Sequence, residues 1–357
     1  MLIHIGYHKT ATTWLQQVLF QPEHGFRWLL SHREVFDHLV MPHGLHFDPD
    51  ATAALIAARR REVENLGTQS GGTDNGPAGN GPAATGVITL EALVGNPFHG
   101  GRESDAYAHR LRAVAPDARI LITIREQCRM MASVYMQYLK RAGTLPPRAF
   151  FAGEPVGGYF GFDAAHFEYD RLVALYQALF GAENVLVLPL EAILHDQGAA
   201  VGRIARFAGN TALEGWTHRP AQGVSTPEAA APLLRRLNHL RCGPAHREPL
   251  LDLGAAAEFA HRAAGALTRR LKPTARPVTA TAREIFAGRF AESNRRLAAR
   301  AVPPEVLAGY QGIDSPHPPD GPARQPIGQA TGQPAQPGRD APILPPGPPP
   351  IPPRDRP

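Results

Sequence analysis

Ile5-Gly6-Tyr7-His8-Lys9-Thr10-Ala11-Thr12-Thr13-Trp14-Leu15 is the stretch that decides the fold, because it joins a short apolar run to a segment with helical spacing. The apolar run covers residues 2–5, and the helical spacing extends from residue 12 to residue 20. A strand, a glycine turn and a helix in this order are typical of the first unit of an open parallel sheet. The stretch therefore predicts an α/β protein with a ligand site at the carboxyl edge of its sheet.

Short apolar runs alternate with helical patterns over the first 209 residues. Further strands are predicted over residues 86–90, 120–124 and 184–188, and further helices over residues 105–114, 128–141, 163–180 and 199–208. This alternation predicts a three-layer fold, in which helices flank a parallel sheet like that of P-loop proteins. After Gly209 the remaining part is predicted to be helical, and the capping-box patterns Ser225-Thr-Pro-Glu228 and Thr281-Ala-Arg-Glu284 predict helix starts.

Two stretches differ from the rest in composition. Residues 67–86 have almost no apolar side chains, which predicts a Gly-rich flexible loop inside the domain. Residues 315–357 are dominated by Pro, Gly and Gln, which predicts a disordered tail, with docking of its PxxP spacings to another protein as the alternative. Residues 1–314 are then predicted to form one domain.

The composition excludes several classes of protein. With 43% hydrophobic and 19% charged residues among 357, the chain resembles neither a disordered protein nor a membrane protein, and no apolar run is as long as a membrane span. The formal net charge of +5 is too small and too dispersed to predict nucleic-acid binding. Two distant cysteines, Cys128 and Cys242, and an N-terminus without a signal-peptide pattern predict a cytoplasmic location. The many Arg, Ala, Gly and Pro residues fit a GC-rich bacterial genome.

The turn after the first strand has the components of a phosphate site. The helix N-terminus supplies unpaired N–H groups, Gly6 permits a tight turn, Lys9 adds a positive charge, and three threonines (Thr10, Thr12 and Thr13) add hydroxyl donors. The turn does not match the Walker A pattern, because Lys9 follows Gly6 by only three positions and no glycine precedes it directly. The alternative is that a threonine merely caps the helix and Lys9 is solvated.

A second pattern follows the strand at residues 120–124. The strand ends in Arg125, and Ser133 lies eight positions further on in the next helix. An arginine where an NTPase has a metal-binding Asp suggests that protein charge holds a dianion directly, so no metal is expected. The alternative for Arg125 is an ion pair with Glu126 or Asp105.

Together the two patterns resemble those of the sulfotransferases that use 3′-phosphoadenosine 5′-phosphosulfate (PAPS), including the heparan-type and cytosolic branches. The first motif of that family is matched by Gly6, Lys9, Thr12, Thr13, Trp14 and Leu15, and its second by Arg125 and Ser133. Ala11 replaces the usual glycine, and Gln127 replaces a common proline. The resemblance covers most of residues 1–314, but only these two motifs are specific.

The resemblance implies a reaction and a set of roles. The enzyme would transfer a sulfuryl group from PAPS, its cosubstrate, to a hydroxyl or amine of an acceptor, and release adenosine 3′,5′-bisphosphate (PAP) without a metal. The acceptor, whether carbohydrate, small molecule or peptide, and the oligomeric state are not encoded in any pattern. Lys9 would stabilise the leaving phosphate, and the nucleotide would be held by Gly6, Lys9, Thr10, Ala11, Thr12, Thr13, Trp14, Arg125 and Ser133.

The catalytic base is the least constrained role. Glu91, at the end of the predicted strand 86–90, is the main candidate, because a glutamate at a comparable strand end is the proposed base in the heparan-type branch. His8 and His99 are the rivals, since a histidine has this role in the cytosolic branch. The alternative is that Glu91 has no catalytic role and its carboxylate interacts only with a helix dipole or with Lys9.

Two other functions remain open from the sequence. One is a phosphate-loop kinase for a small molecule, which would require ATP and magnesium. The other is a non-catalytic nucleotide-binding or interaction protein that uses the same fold as a scaffold.

Overall fold

The structure is a computed structural model that describes residues 1–69, 84–154, 161–213, 215–220, 226–247, 249, 251–271 and 274–313. The predicted loop at 67–86 is only partly covered, since residues 67–69 continue a helix and residues 85–86 belong to a strand. Residues 70–83, the predicted tail at 315–357 and Ser225 lie outside the described residues.

Five strands form one parallel sheet. They are β1 (Leu2–His4), β2 (Phe26–Trp28), β3 (Thr85–Thr89), β4 (Arg119–Ile124) and β5 (Val185–Pro189), in the spatial order β2-β3-β1-β4-β5. All four neighbouring pairs are parallel. The predicted α/β fold with a parallel sheet is confirmed, and β2 is an additional edge strand that the apolar runs did not indicate.

The α-helices are α1 (Thr12–Trp14), α2 (His32–Val35), α3 (Pro49–Gln69), α4 (Ser104–Val114), α5 (Gln127–Lys140), α6 (Pro147–Ala152), α7 (Tyr169–Phe180), α8 (Leu190–His195), α9 (Gln197–Ala208), α10 (Ala231–Leu237), α11 (Gly254–Leu271), α12 (Pro277–Ile285) and α13 (Ala291–Arg300). A π-helical turn over Leu15–Leu19 extends α1 through most of the predicted helix. The helix start predicted at Thr281 is wrong, because α12 begins four residues earlier with Pro277, a residue that suits the first helical position.

The core consists of two apolar layers on opposite faces of the sheet. On β1 and β4 the side chains of Ile3 and Ile120 join one cluster, which also contains the buried faces of α5 and α7. The alternate residues Leu2 and Leu121 join the other cluster, which includes Ile204 of α9. Successive strand residues face opposite sides of a sheet, so a strand buried on both faces is apolar throughout. The predicted three-layer arrangement is confirmed.

The strand order places the ligand edge. After β1 the chain builds β2 and β3 on one side of it and then crosses to form β4 on the other side. Main-chain hydrogen bonds continue beyond β1, from Ile5 N–H to Leu121 O (3.0 Å) and from Tyr7 N–H to Thr123 O (2.9 Å). The turn after β1 and the end of β4 therefore lie side by side at the switch point, where open α/β sheets bind ligands.

No helix among the described residues combines the length and the apolar character needed to cross a bilayer.

Candidate functional site

The turn after β1 begins at a position where only glycine fits. A Cβ atom on Gly6 would lie 2.2 Å from Thr123 Oγ1, 2.6 Å from Thr12 Cγ2 and 2.7 Å from His4 Nε2. Two of these neighbours belong to the sheet and one to α1, so they have little freedom to retreat. Gly6 therefore lets the main chain pass directly over the end of the sheet.

Two non-glycine residues of the turn have a left-handed main chain, with φ of 65° at Lys9 and 63° at Ala11. Such conformations are uncommon for residues with a Cβ and cost about 1–2 kcal/mol each. They bend the chain so that successive N–H groups face one concavity, which is an arrangement that binds anions. α1 starts immediately afterwards at Thr12, and its first N–H groups have no partner within the helix.

A buried polar network supports the turn from the sheet side. The Thr10 hydroxyl donates to Tyr7 O (2.6 Å) and lies 2.7 Å from Thr123 Oγ1. His4 bridges β3 and β4, with Nδ1 at 2.9 Å from Thr89 Oγ1 and Nε2 at 3.1 Å from Thr123 Oγ1. Burial lowers the pKa of His4 to about 3, so its ring is neutral. The Thr10 side chain thus fixes the turn, which leaves its main chain to face a ligand.

Of the other residues of the first motif, one lies at the ligand-binding edge of the sheet and two lie in the core. Thr13 is exposed at the start of α1, whereas Thr12 is buried. Trp14 is also buried and packs edge-on against Trp216, with ring centroids 5.7 Å apart. The indole nitrogen of Trp14 has no hydrogen-bond partner among the described residues.

Lys9 is exposed at the apex of the turn, yet protein surrounds enough of it to change its titration. Burial lowers its pKa, the positive charges of Lys140 and Arg125 act in the same direction, and the Glu91 carboxylate opposes them. All three charged groups therefore lie within electrostatic range of the Lys9 ammonium. Charged groups from the end of β3 and from both ends of α5 therefore act on the turn after β1.

The second motif forms a direct side-chain pair. Arg125 follows β4, and its Nη1 donates to Ser133 Oγ over 2.8 Å. The main-chain oxygen of Arg125 accepts from the buried Tyr169 hydroxyl at 2.7 Å. Burial lowers the pKa of the Arg125 guanidinium and the Glu191 carboxylate raises it, but an arginine remains charged in either case. The pair presents a positive planar group and a hydroxyl at one place.

The sequence left open an ion pair between Arg125 and Glu126, but the Glu126 carboxylate has another role. Its carboxylate accepts from the N–H groups of Cys128 (3.1 Å) and Arg129 (2.9 Å) and so caps α5. Its own N–H donates to Glu191 Oε1 over 3.2 Å. Glu126 is consequently tied to the helix end, and the Nη1 group of Arg125 pairs with Ser133 instead.

The candidate bases occupy three different environments. Glu91 begins a 3₁₀ turn directly after β3, and its carboxylate raises the pKa values of both His8 and Lys9. Burial outweighs this effect at His8 and lowers its pKa to about 4, and His8 Nδ1 is buried without a hydrogen-bond partner among the described residues. His99 is exposed at the end of the turn over Pro97–His99. The structure thus brings Glu91 and His8 to the Lys9 turn.

Sequence reasoning missed several residues that shape this site. His4, Thr89 and Thr123 lie on three neighbouring strands, and their contacts depend on a strand register that no local pattern reveals. Lys140 ends α5 and has the largest effect of any charged group on Lys9. Within the described ranges, no group of three or more His, Cys, Asp or Glu side chains is placed to hold a metal ion.

Comparisons with known proteins show a similarity to solved structures. No family model matches the chain, and no curated protein matches it. Among solved structures, a sulfotransferase from Alicyclobacillus acidocaldarius matches with 18% sequence identity, covering 65% of this chain and 88% of the other, at a TM-score of 0.37. The functional assignment therefore depends on the geometry of the site itself.

Proposed function

We propose that the protein is a sulfotransferase that transfers a sulfuryl group from PAPS to a hydroxyl or amine of an acceptor and releases PAP. The observation that carries this proposal is the presence of two separate anion-binding groups at the ends of neighbouring strands. One is the Lys9 turn after β1, and the other is the Arg125–Ser133 pair after β4. A nucleotide with phosphates at both its 5′ and 3′ positions matches two such groups.

The 5′-phosphosulfate is assigned to the Lys9 turn. The close approach at Gly6, the left-handed residues Lys9 and Ala11, and the free N–H groups at the start of α1 together form a cradle for a tetrahedral anion. Thr13 adds an exposed hydroxyl, and the buried Thr10 hydroxyl keeps the turn in place. Lys9 supplies the full positive charge.

The 3′-phosphate is assigned to Arg125 and Ser133. A guanidinium binds phosphate oxygens through fixed N–H donors and needs no metal to do so. The hydrogen bond to Ser133 and the core-packed start of α5 hold Arg125 in one orientation before any ligand arrives. Preorganisation of this kind lowers the entropy that binding costs.

PAPS supplies the sulfuryl group: the acceptor oxygen or nitrogen forms a bond to sulfur while the bond from sulfur to the bridging phosphate oxygen breaks. Lys9 stabilises the negative charge that develops on the departing phosphate. Glu91 accepts the proton that the acceptor loses, because its carboxylate acts electrostatically on the Lys9 ammonium at the end of β3. His8 is half-buried in the same turn, and its neutral ring makes it the alternative base.

The assay that tests this proposal measures PAP formation from PAPS with a mixed panel of hydroxyl and amine acceptors. The expected result is acceptor-dependent PAP release by the wild-type protein and almost none by Lys9→Ala. Phosphoryl transfer from ATP with magnesium, together with no PAP formation from PAPS, would contradict the proposal and favour the kinase alternative. Tight PAP binding without turnover on any acceptor would favour the scaffold alternative.

A further inference from the structure

A basic cleft lies between the end of α5 and α11, outside the two anion-binding groups described above. It has a volume of about 330 Å³. Its charged and titratable lining residues are Lys140, Arg241, Arg262, Arg269, Glu258 and His261. Four permanent cations thus face one carboxylate, which makes the cleft attractive to anions.

Three of the cations lack an ionic partner. Arg241 forms an ion pair with Glu258, whereas Lys140, Arg262 and Arg269 form none with the residues that the structure describes. Arg262 and Arg269 are exposed and seven positions apart on α11, so they lie on the same side of the helix two turns apart. Two guanidinium groups are therefore available to an anion that enters the cleft.

Two buried polar groups in the cleft also lack a partner. His261 is 7% exposed and Arg241 is 9% exposed, and neither His261 Nε2 nor Arg241 Nε has a hydrogen-bond partner in the described part of the chain. Burial lowers the pKa of His261, and the positive charge of Arg241 acts in the same direction. The Arg241 Nε–H is a buried donor without a partner, which costs about 1–3 kcal/mol that a bound ligand would recover.

The cleft lies at the end of α5 that is remote from Arg125. Arg125 precedes α5, which has 14 residues and so is about 21 Å long, and Lys140 ends it. Both Arg125 and Lys140 lie within electrostatic range of the Lys9 ammonium. A ligand bound at Lys140 in the cleft would therefore lie at the other end of α5 from the proposed 3′-phosphate position.

We propose that this cleft binds an anionic group of the acceptor, so that the protein acts on acceptors that carry a carboxylate or a sulfate near the accepting hydroxyl or amine. The inference rests on the proposed sulfotransferase function and specifies its substrate class. Arg262 and Arg269 bind the anion, Arg241 and His261 form the floor of the cleft, and Lys140 connects the cleft to the Lys9 turn.

The test is a pair of calorimetric titrations on the full-length, PAP-saturated protein. The carboxylate probe is trigalacturonate and the sulfate probe is a sulfated disaccharide, each compared with its neutral analogue, the methyl ester or the unsulfated sugar. We expect at least one charged probe to bind, with affinity at least about tenfold higher than its neutral analogue, because charge-assisted hydrogen bonds are the strong ones. The probe that binds identifies the source of the anion.

Two single variants, Arg262→Gln and Arg269→Gln, locate the binding. Each is expected to lower the affinity for the charged probe about fivefold to tenfold and to leave the PAP affinity unchanged. Arg206→Gln removes an exposed arginine from α9, on the other layer of the fold, and serves as the matched control. Thermal unfolding of all three variants monitors their folding.

The outcomes separate the two proposals. Binding of neither charged probe, or binding that both variants retain, would overturn the cleft assignment while leaving PAP binding intact. A loss of PAP affinity in Arg262→Gln or Arg269→Gln would assign the cleft to the nucleotide and also overturn it. Failure of the wild-type protein to bind PAP would instead contradict the sulfotransferase proposal.

Discussion

Gln127 donates a hydrogen bond from its side-chain amide to Asn294 Oδ1 over 2.6 Å, which joins the start of α5 to α13 across 167 positions of sequence. Both residues are completely buried, and Asn294 also donates to Gln311 O at 3.0 Å. In the resemblance to the PAPS-dependent sulfotransferases, Gln127 replaces a common proline. The C-terminal helices therefore stabilise the segment that carries Arg125 and Ser133.

We expect Asn294→Ala to destabilise the protein by about 1–3 kcal/mol, because the buried Gln127 amide is left without its partner. Thermal or urea unfolding measures the change. The double variant Gln127→Met with Asn294→Leu replaces both partners by apolar side chains of similar size and is expected to recover much of the loss. Equal destabilisation by the single and double variants would show that the hydrogen bond is not the cause.

Substitution of Ala11 by glycine is expected to affect stability more favourably than the same substitution at a helical alanine. Its φ of 63° is a left-handed conformation that glycine adopts without strain, so Ala11→Gly should stabilise the protein or leave it unchanged, by up to about 1 kcal/mol. Ala263→Gly, at an exposed position within α11, is the control and should destabilise it by about 1 kcal/mol. Similar losses in both variants would contradict a left-handed Ala11.

PAP affinity should decrease modestly at alkaline pH, and the decrease should begin at a lower pH than the titration of an ordinary lysine would cause. Burial, with Lys140 and Arg125, lowers the pKa of Lys9 from its usual 10.5, so Lys9 loses its charge as pH rises through that lowered value. Below it the ammonium is charged and the affinity is at its maximum. Calorimetric titration with PAP between pH 7 and 10.5 measures the decrease, and Lys9→Arg, which stays charged, should remove it. Identical profiles for the two proteins would exclude Lys9 as the titrating group.

Lys9→Ala should reduce turnover far more than PAP affinity. The ammonium stabilises charge that develops only as the phosphate departs, and removal of one such group typically lowers kcat about 100-fold to 1000-fold. The comparison requires kcat and the Kd for PAP on the same preparation. Equal loss in both quantities would indicate that Lys9 only binds the nucleotide.

Glu91→Gln should lower kcat by about 100-fold or more while the Kd for PAP changes little, because the amide cannot accept the acceptor's proton. His8→Asn is the matched control, since His8 lies at the same turn and its pKa of about 4 already keeps it neutral at working pH. If His8→Asn abolished turnover and Glu91→Gln did not, the base would be His8.

Local sequence patterns predicted the sheet well wherever strands are long apolar runs. Five of the six residues of β4 and all five residues of β5 are buried, and both strands were predicted from their apolar runs. β2 was missed, because it has only three residues, one of them exposed, and follows Gly25 at an edge of the sheet. The Thr281 pattern predicted a helix start wrongly, since its hydroxyl donates to Pro277 O inside α12.

The candidate site was predictable only where its residues are close in sequence. The Lys9 turn and the Arg125–Ser133 spacing are local motifs, and the structure shows their side chains at adjacent strand ends. The His4 network and the approach of Lys140 to Lys9 depend on strand register and helix placement, which link residues more than 80 positions apart. Neither relationship leaves a local sequence signal.

The central claim is that the site binds a nucleotide with a 3′-phosphate, and titration of the wild-type protein and Arg125→Ala with PAP, and separately with ATP plus magnesium, tests it most directly. We expect PAP to bind the wild-type protein more tightly than ATP with magnesium, and Arg125→Ala to lose about tenfold or more of the PAP affinity, because the 3′-phosphate loses its guanidinium. A preference for ATP with magnesium, or PAP binding that Arg125→Ala leaves unchanged, would contradict the assignment.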